Sequence, residues 1–142
     1  MNAEVQFRSA AFPAYESEED EVNPSRWGKR LVEYLSRGFQ DQHLQTGEPY
    51  AEDWGWALPV KNEDFSVFIG CGNIDGTTDS FLCFVEASRP KGLRWFKKID
   101  TSKKVLAILD ALDKVLRANP EIHEIQWDAN RAKSDSRGHN AK

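Results

Sequence analysis

The stretch Phe65-Ser66-Val67-Phe68-Ile69-Gly70-Cys71-Gly72-Asn73-Ile74-Asp75-Gly76-Thr77-Thr78-Asp79-Ser80-Phe81-Leu82-Cys83-Phe84-Val85-Glu86 decides the fold. Phe65, Val67, Ile69 and Cys71 alternate with Ser66, Phe68, Gly70 and Gly72, and further on Phe81, Cys83 and Val85 alternate with Leu82, Phe84 and Glu86. A period of two sends successive side chains to opposite faces of a strand. Asp75-Gly76 between the runs tolerates a left-handed backbone, so the segment reads as a β-hairpin. On its N-terminal side, Trp54, Trp56, Leu58 and Val60 alternate with Gly55, Ala57 and Pro59, and residues 61–64 form a turn. The expectation is a meander of three antiparallel strands.

Turn length then predicts register. A four-residue turn at 61–64 sets Val60 opposite Phe65, Trp56 opposite Ile69 and Trp54 opposite Cys71. A turn centred on Thr77 sets Cys71 opposite Cys83 and Ile69 opposite Val85. Both registers gather the large side chains on one face, and a one-residue slip would send them to the other.

Outside the meander the period becomes helical twice. Asn23-Pro24-Ser25 is a helix start signal, followed by Trp27, Leu31, Tyr34, Leu35 and Gly38, with the pattern fading near His43. A second helix, capped by Asp100 or Thr101, carries Val105, Ile108, Leu109, Leu112, Val115 and Leu116 on one stripe and ends at Asn119-Pro120. Further strands are expected from Val5 to Phe12, from Ile122 to Trp127 and, shorter, from Leu93 to Ile99. Residues 16–21, with five acids in six positions, read as a solvated loop, and residues 46–49 read as a turn. The order β-α-β-β-β-(β)-α-β predicts an α+β fold. It is a two-layer sandwich of a mainly antiparallel sheet of five or six strands with both helices on one face.

Composition bounds the rest. A chain of 142 residues suits one domain, expected over 1–128, with 129–142 as a disordered basic tail. Hydrophobic residues are 39% and charged residues 30%, which excludes collagen-like, disulfide-framework and membrane-spanning classes. The N-terminus lacks a signal-peptide pattern, so a cytoplasmic location and two reduced cysteines are expected. The formal net charge of -4 argues against general nucleic-acid or membrane-surface binding. Because the tail carries four bases and one acid, residues 1–128 hold -7.

The face opposite the core carries the candidate site. In the predicted register Phe84 lies over Gly70 and Leu82 over Gly72, with Phe68 nearby, where a solvated sheet face would be polar. Three readings fit: coverage by the N-terminal segment, a homodimer or partner surface, and a glycine-floored small-molecule groove. Residues 89–98 add five bases with Trp95 and Phe96. This pattern fits edge-strand protection, a protein contact through Arg94 and Trp95, or, in third place, weak nucleic-acid binding.

No catalytic set assembles. Cys71 between two glycines resembles an exposed nucleophile, yet no base stands in a recognisable relation to it, and an inert core thiol beside Cys83 is the simpler reading. Glu52 and Asp53 are neighbours in an extended segment and point apart. Cys71, Cys83 and His123 make three metal ligands at best, and Asn73 to Asp79 reads as a turn rather than a calcium loop, so no metal or other cofactor is expected. The function these features favour is a small interaction or regulatory module without catalysis, working through the face of Phe68, Gly70, Gly72, Leu82 and Phe84 or through the opposed acidic and basic segments. The alternative is a small-molecule binder or hydrolytic enzyme using Cys71 with Glu52 and Asp53.

Overall fold

The period-two runs form strands, and the helical stripes cover them. In a computed structural model that describes residues 3–62, 65–88 and 101–128, the elements are β1 (Glu4–Arg8), α1 (Lys29–Asp41), β2 (Tyr50–Glu52), β3 (Gly55–Val60), β4 (Ser66–Asn73), β5 (Ser80–Ser88), α2 (Thr101–Arg117) and β6 (His123–Trp127). Every strand pairing is antiparallel, in the order β2-β3-β4-β5-β1-β6. This is the expected α+β two-layer sandwich. The sixth strand differs from expectation: β2 lies between the turn expected at 46–49 and the strand expected from Trp54, while the strand proposed for Leu93 to Ile99 lies outside the described residues, as do Arg94 and Trp95.

One face of the sheet is the core. Trp56, Leu58, Val67, Ile69, Cys71 and Cys83 are buried on it against Leu31, Leu35 and Phe39 of α1 and Ile108, Leu112 and Leu116 of α2. The two helices touch at Gly38, where an added Cβ would stand 2.5 Å from a methyl of Val115. The glycine that weakens α1 by propensity lets α2 approach. Along α2 the predicted stripe holds except at Leu109, which is only partly buried, while Ala111 takes a core position.

Cys71 pairs with Cys83 and Ile69 with Val85, as expected. Asp75 and Gly76 both have positive φ, as a type I′ turn requires. The β3–β4 register differs by two residues: Trp56 faces Cys71, Leu58 faces Ile69 and Val60 faces Val67. The connection is longer than four residues, and a shift of two leaves every side chain on its own face, so the hydrophobic pattern cannot detect it.

Two further expectations are corrected near the N-terminus. Helix α1 starts at Lys29 rather than at residues 23–25, because those residues are held elsewhere. Trp27 donates its N–H to Asn73 Oδ1 and accepts from the Asn73 N–H, and Asn73 Nδ2 donates to Ser25 O. The acidic run is solvated at Glu16, Glu19, Asp20 and Glu21, as expected, but not at Glu18. Residues Glu18–Asp20 form a single 3-10 turn, and Glu18 is 1% exposed. Its Oε1 accepts from the Tyr15 N–H, and its Oε2 accepts from the N–H groups of Gly28 and Lys29 and from Trp56 Nε1, all at 2.8 to 2.9 Å. The carboxylate thus caps a helix start whose own residues, Gly28 and Lys29, have no side chain able to do so. At the other end His43, with φ 65°, closes α1: its N–H reaches Gln40 O and the Leu44 N–H reaches Phe39 O, a Schellman arrangement.

Candidate functional site

The second face of the sheet bears no helix among the described residues. Alternation in β4 and β5 sends Phe68, Gly70 and Gly72, with Leu82, Phe84 and Glu86, to this side, and the register pairs Gly70 with Phe84 and Gly72 with Leu82. The structure therefore brings together all five predicted residues of this patch. Gly70 is required by packing, since a Cβ there would run into the Phe84 ring. An aromatic ring laid over a strand glycine restores the cover that the glycine lacks. Phe68, Leu82 and Phe84 remain partly exposed, while Ala57, Gly70 and Gly72 beneath them are buried.

A fourth large side chain joins them against expectation. Trp54 was expected on the core face beside Trp56. Instead, Glu52 pairs with Gly55, so Asp53 and Trp54 form the tip of a hairpin between β2 and β3. Gly55 has φ 151° and sits against the Cys71 carbonyl, a position that admits no side chain. Gly72 makes room for the Trp54 backbone, since a Cβ there would stand 2.6 Å from the Trp54 carbonyl oxygen. The Trp54 ring lies 5.1 Å from Phe84 and 6.5 Å from Phe68, and Phe68 and Phe84 meet edge to face at 6.1 Å. The signal that could have found this is Glu52-Asp53-Trp54-Gly55 itself, a four-residue turn closed by glycine, which the alternation of Trp54 with Trp56 concealed.

The N-terminal segment does not cover this face. β1 is inserted between β5 and β6 in the plane of the sheet, pairing Glu4 with Phe84 and Gln6 with Leu82. Its contribution to the open side is a polar margin. Glu4 beside Phe84, Glu86 beside Phe68 and Glu52 across from Gly55 share the face with the rings. The base on β1, Arg8, is held by Asp79 at 2.9 Å, a bond that raises the arginine's pKa and lowers the carboxyl's.

The groups considered for catalysis are separated. Cys71 and Cys83 lie on the helix-covered face with sulfurs 3.7 Å apart and both buried, and burial, followed by the contact with Cys83, pushes the Cys71 thiol well above its usual range. Glu52 is exposed on the opposite side of the sheet, and Asp53 is in the hairpin tip. Asn73 spends its side chain on Trp27, Ser25 and Thr77 within the hairpin. Among the described residues no group of three or more His, Cys, Asp or Glu side chains is placed to hold a metal ion, and no helix is long and apolar enough to cross a membrane. An open groove of about 590 Å³ runs beside Lys29, Arg37, Glu33 and Glu48, with mixed charges and no convergent set of polar groups. No known protein family, curated protein or solved structure matches this chain.

Proposed function

We propose that this protein is a small interaction module that binds a protein partner through the open sheet face centred on Phe84, without catalysis of its own. The observation that carries the reading is the contiguous set of Trp54, Phe68 and Phe84 rings, partly exposed on a sheet face that no described element covers. Aromatic side chains supply large, rigid contact area at little entropic cost, and they are enriched where one protein meets another. Glycines beneath them keep the patch flat. The thiol that could have served a reaction is buried on the other side and held protonated.

Site-specific photo-crosslinking in the cells that make the protein tests this. A benzophenone amino acid at position 68 should yield discrete crosslinked species, whereas the same group at Leu106, 54% exposed on the outer side of α2, should not. Equal yields at the two positions, or none at 68, would overturn the reading. The mass of the product distinguishes a second copy from a different protein.

A further inference from the structure

We infer that the partner presents a cationic, arginine-bearing segment to this face; the inference rests on the face being a docking surface and names the chemistry it recognises. Rings and carboxylates alternate across it. Glu86 is the cross-strand neighbour of Phe68, and Glu52 stands at the strand end that leads into Trp54. Cross-strand neighbours have Cβ atoms about 5 Å apart, so a group resting on the Phe68 ring is within reach of the Glu86 carboxylate. Arg8, the base that β1 adds to this side, is already bonded to Asp79. Among the described residues, the side chains that Glu52 and Glu86 add to the patch are therefore negative, in keeping with the formal -7 of residues 1–128.

Ring geometry decides which cation. At 5.1 to 6.5 Å between centroids the three rings pack on one another and leave no cage that a compact ammonium could enter. A guanidinium is planar and weakly hydrated. It can lie over such rings while its N–H groups fork to a carboxylate alongside. A second copy fits less well, since stacking two of these faces would bring Glu52 and Glu86 of one into the acidic margin of the other, and like charges across an interface suppress pairing.

The test uses the full chain and fluorescein-labelled short peptides of alternating glycine with arginine, lysine or glutamate, read by fluorescence anisotropy at low and physiological salt. The arginine peptide should bind about fivefold or more tightly than the lysine peptide, and the glutamate peptide should not bind. Glu52→Gln with Glu86→Gln should weaken it about fivefold, and Phe68→Thr should do the same, while Asp110→Asn on α2 should leave it unchanged. Equal affinity for arginine and lysine, or equal loss with Asp110→Asn, would reduce the effect to general charge attraction and overturn the inference. Absence of arginine binding with crosslinking at position 68 intact would overturn the cationic partner and leave the docking surface standing. Crosslinked product at twice the chain mass would make the occupant a second copy.

Discussion

Glu18 sits in the middle of an acidic run and is nevertheless buried beneath four N–H donors. The Lys29 ammonium lies over the Trp56 and Tyr15 rings at 5.2 and 5.7 Å and lids this cradle. A glutamine at position 18 could offer its single oxygen to the three donors of Oε2 but would turn its NH₂ toward the Tyr15 N–H. Glu18→Gln should therefore lower stability by about 1 to 3 kcal/mol in urea unfolding, the range for a buried donor left unpaired beside a charged acceptor. A loss under about 0.5 kcal/mol would mean that the chain repacks without the cradle. No local rule marks this residue, because its partners Gly28 and Trp56 stand 10 and 38 positions away. Cys71 gives a second test at this scale. Its pKa is raised in the fold, so above about pH 8.5 the unfolded chain releases a proton that the folded chain keeps, and stability falls as pH rises. The slope from this group approaches about 1.4 kcal/mol per pH unit, and Cys71→Ala should remove that part of the alkaline loss. An unchanged slope in the variant would assign the loss to other groups.

Among the elements, α2 shows how far periodicity reaches. Its stripe identifies the helix and most of its buried positions, yet it treats Leu109 and Leu112 alike. In the fold Leu112 is fully buried and Leu109 only partly so. Leu112→Ala should cost about 2 to 5 kcal/mol and Leu109→Ala clearly less, measured by chemical denaturation. Equal costs would mean that α2 is rotated about its axis relative to the arrangement described. The hairpin of β2 and β3 marks the opposite limit. Trp54 and Trp56 have the spacing of one strand face, and only the positive φ of Gly55 breaks the strand and turns Trp54 outward. The aromatic patch was legible in Phe68, Leu82 and Phe84, whose strand period is uninterrupted. It lacked Trp54 because a turn interrupts the alternation there.

At the scale of the whole molecule, strand order is the feature that alternation alone could not supply. The sequence marks strands within residues 5–12 and 122–127, found at 4–8 and 123–127, but not which neighbours they take, and β1 lies between β5 and β6. Removing residues 1–8 would leave β6 without its partner strand, open one edge of β5, and expose Phe81 and Cys83 of the core, where Val5 and Phe7 now pack against them. The truncated chain should lose its cooperative thermal transition in circular dichroism; a retained transition near the wild-type midpoint would show β1 to be dispensable. The same insertion bears on how the chain reaches its fold. Hairpins of adjacent strands close from nearby residues, whereas the ladder that joins Val5 to Trp127 must gather nearly the full length of the described chain. Pairings so remote in sequence slow folding, because loop entropy is lost before any contact rewards it. During synthesis β1 leaves the ribosome ahead of the other strands described here, so a nascent chain carries Val5 and Phe7 unpaired until β5 has emerged, and one edge of β1 stays open until β6 follows.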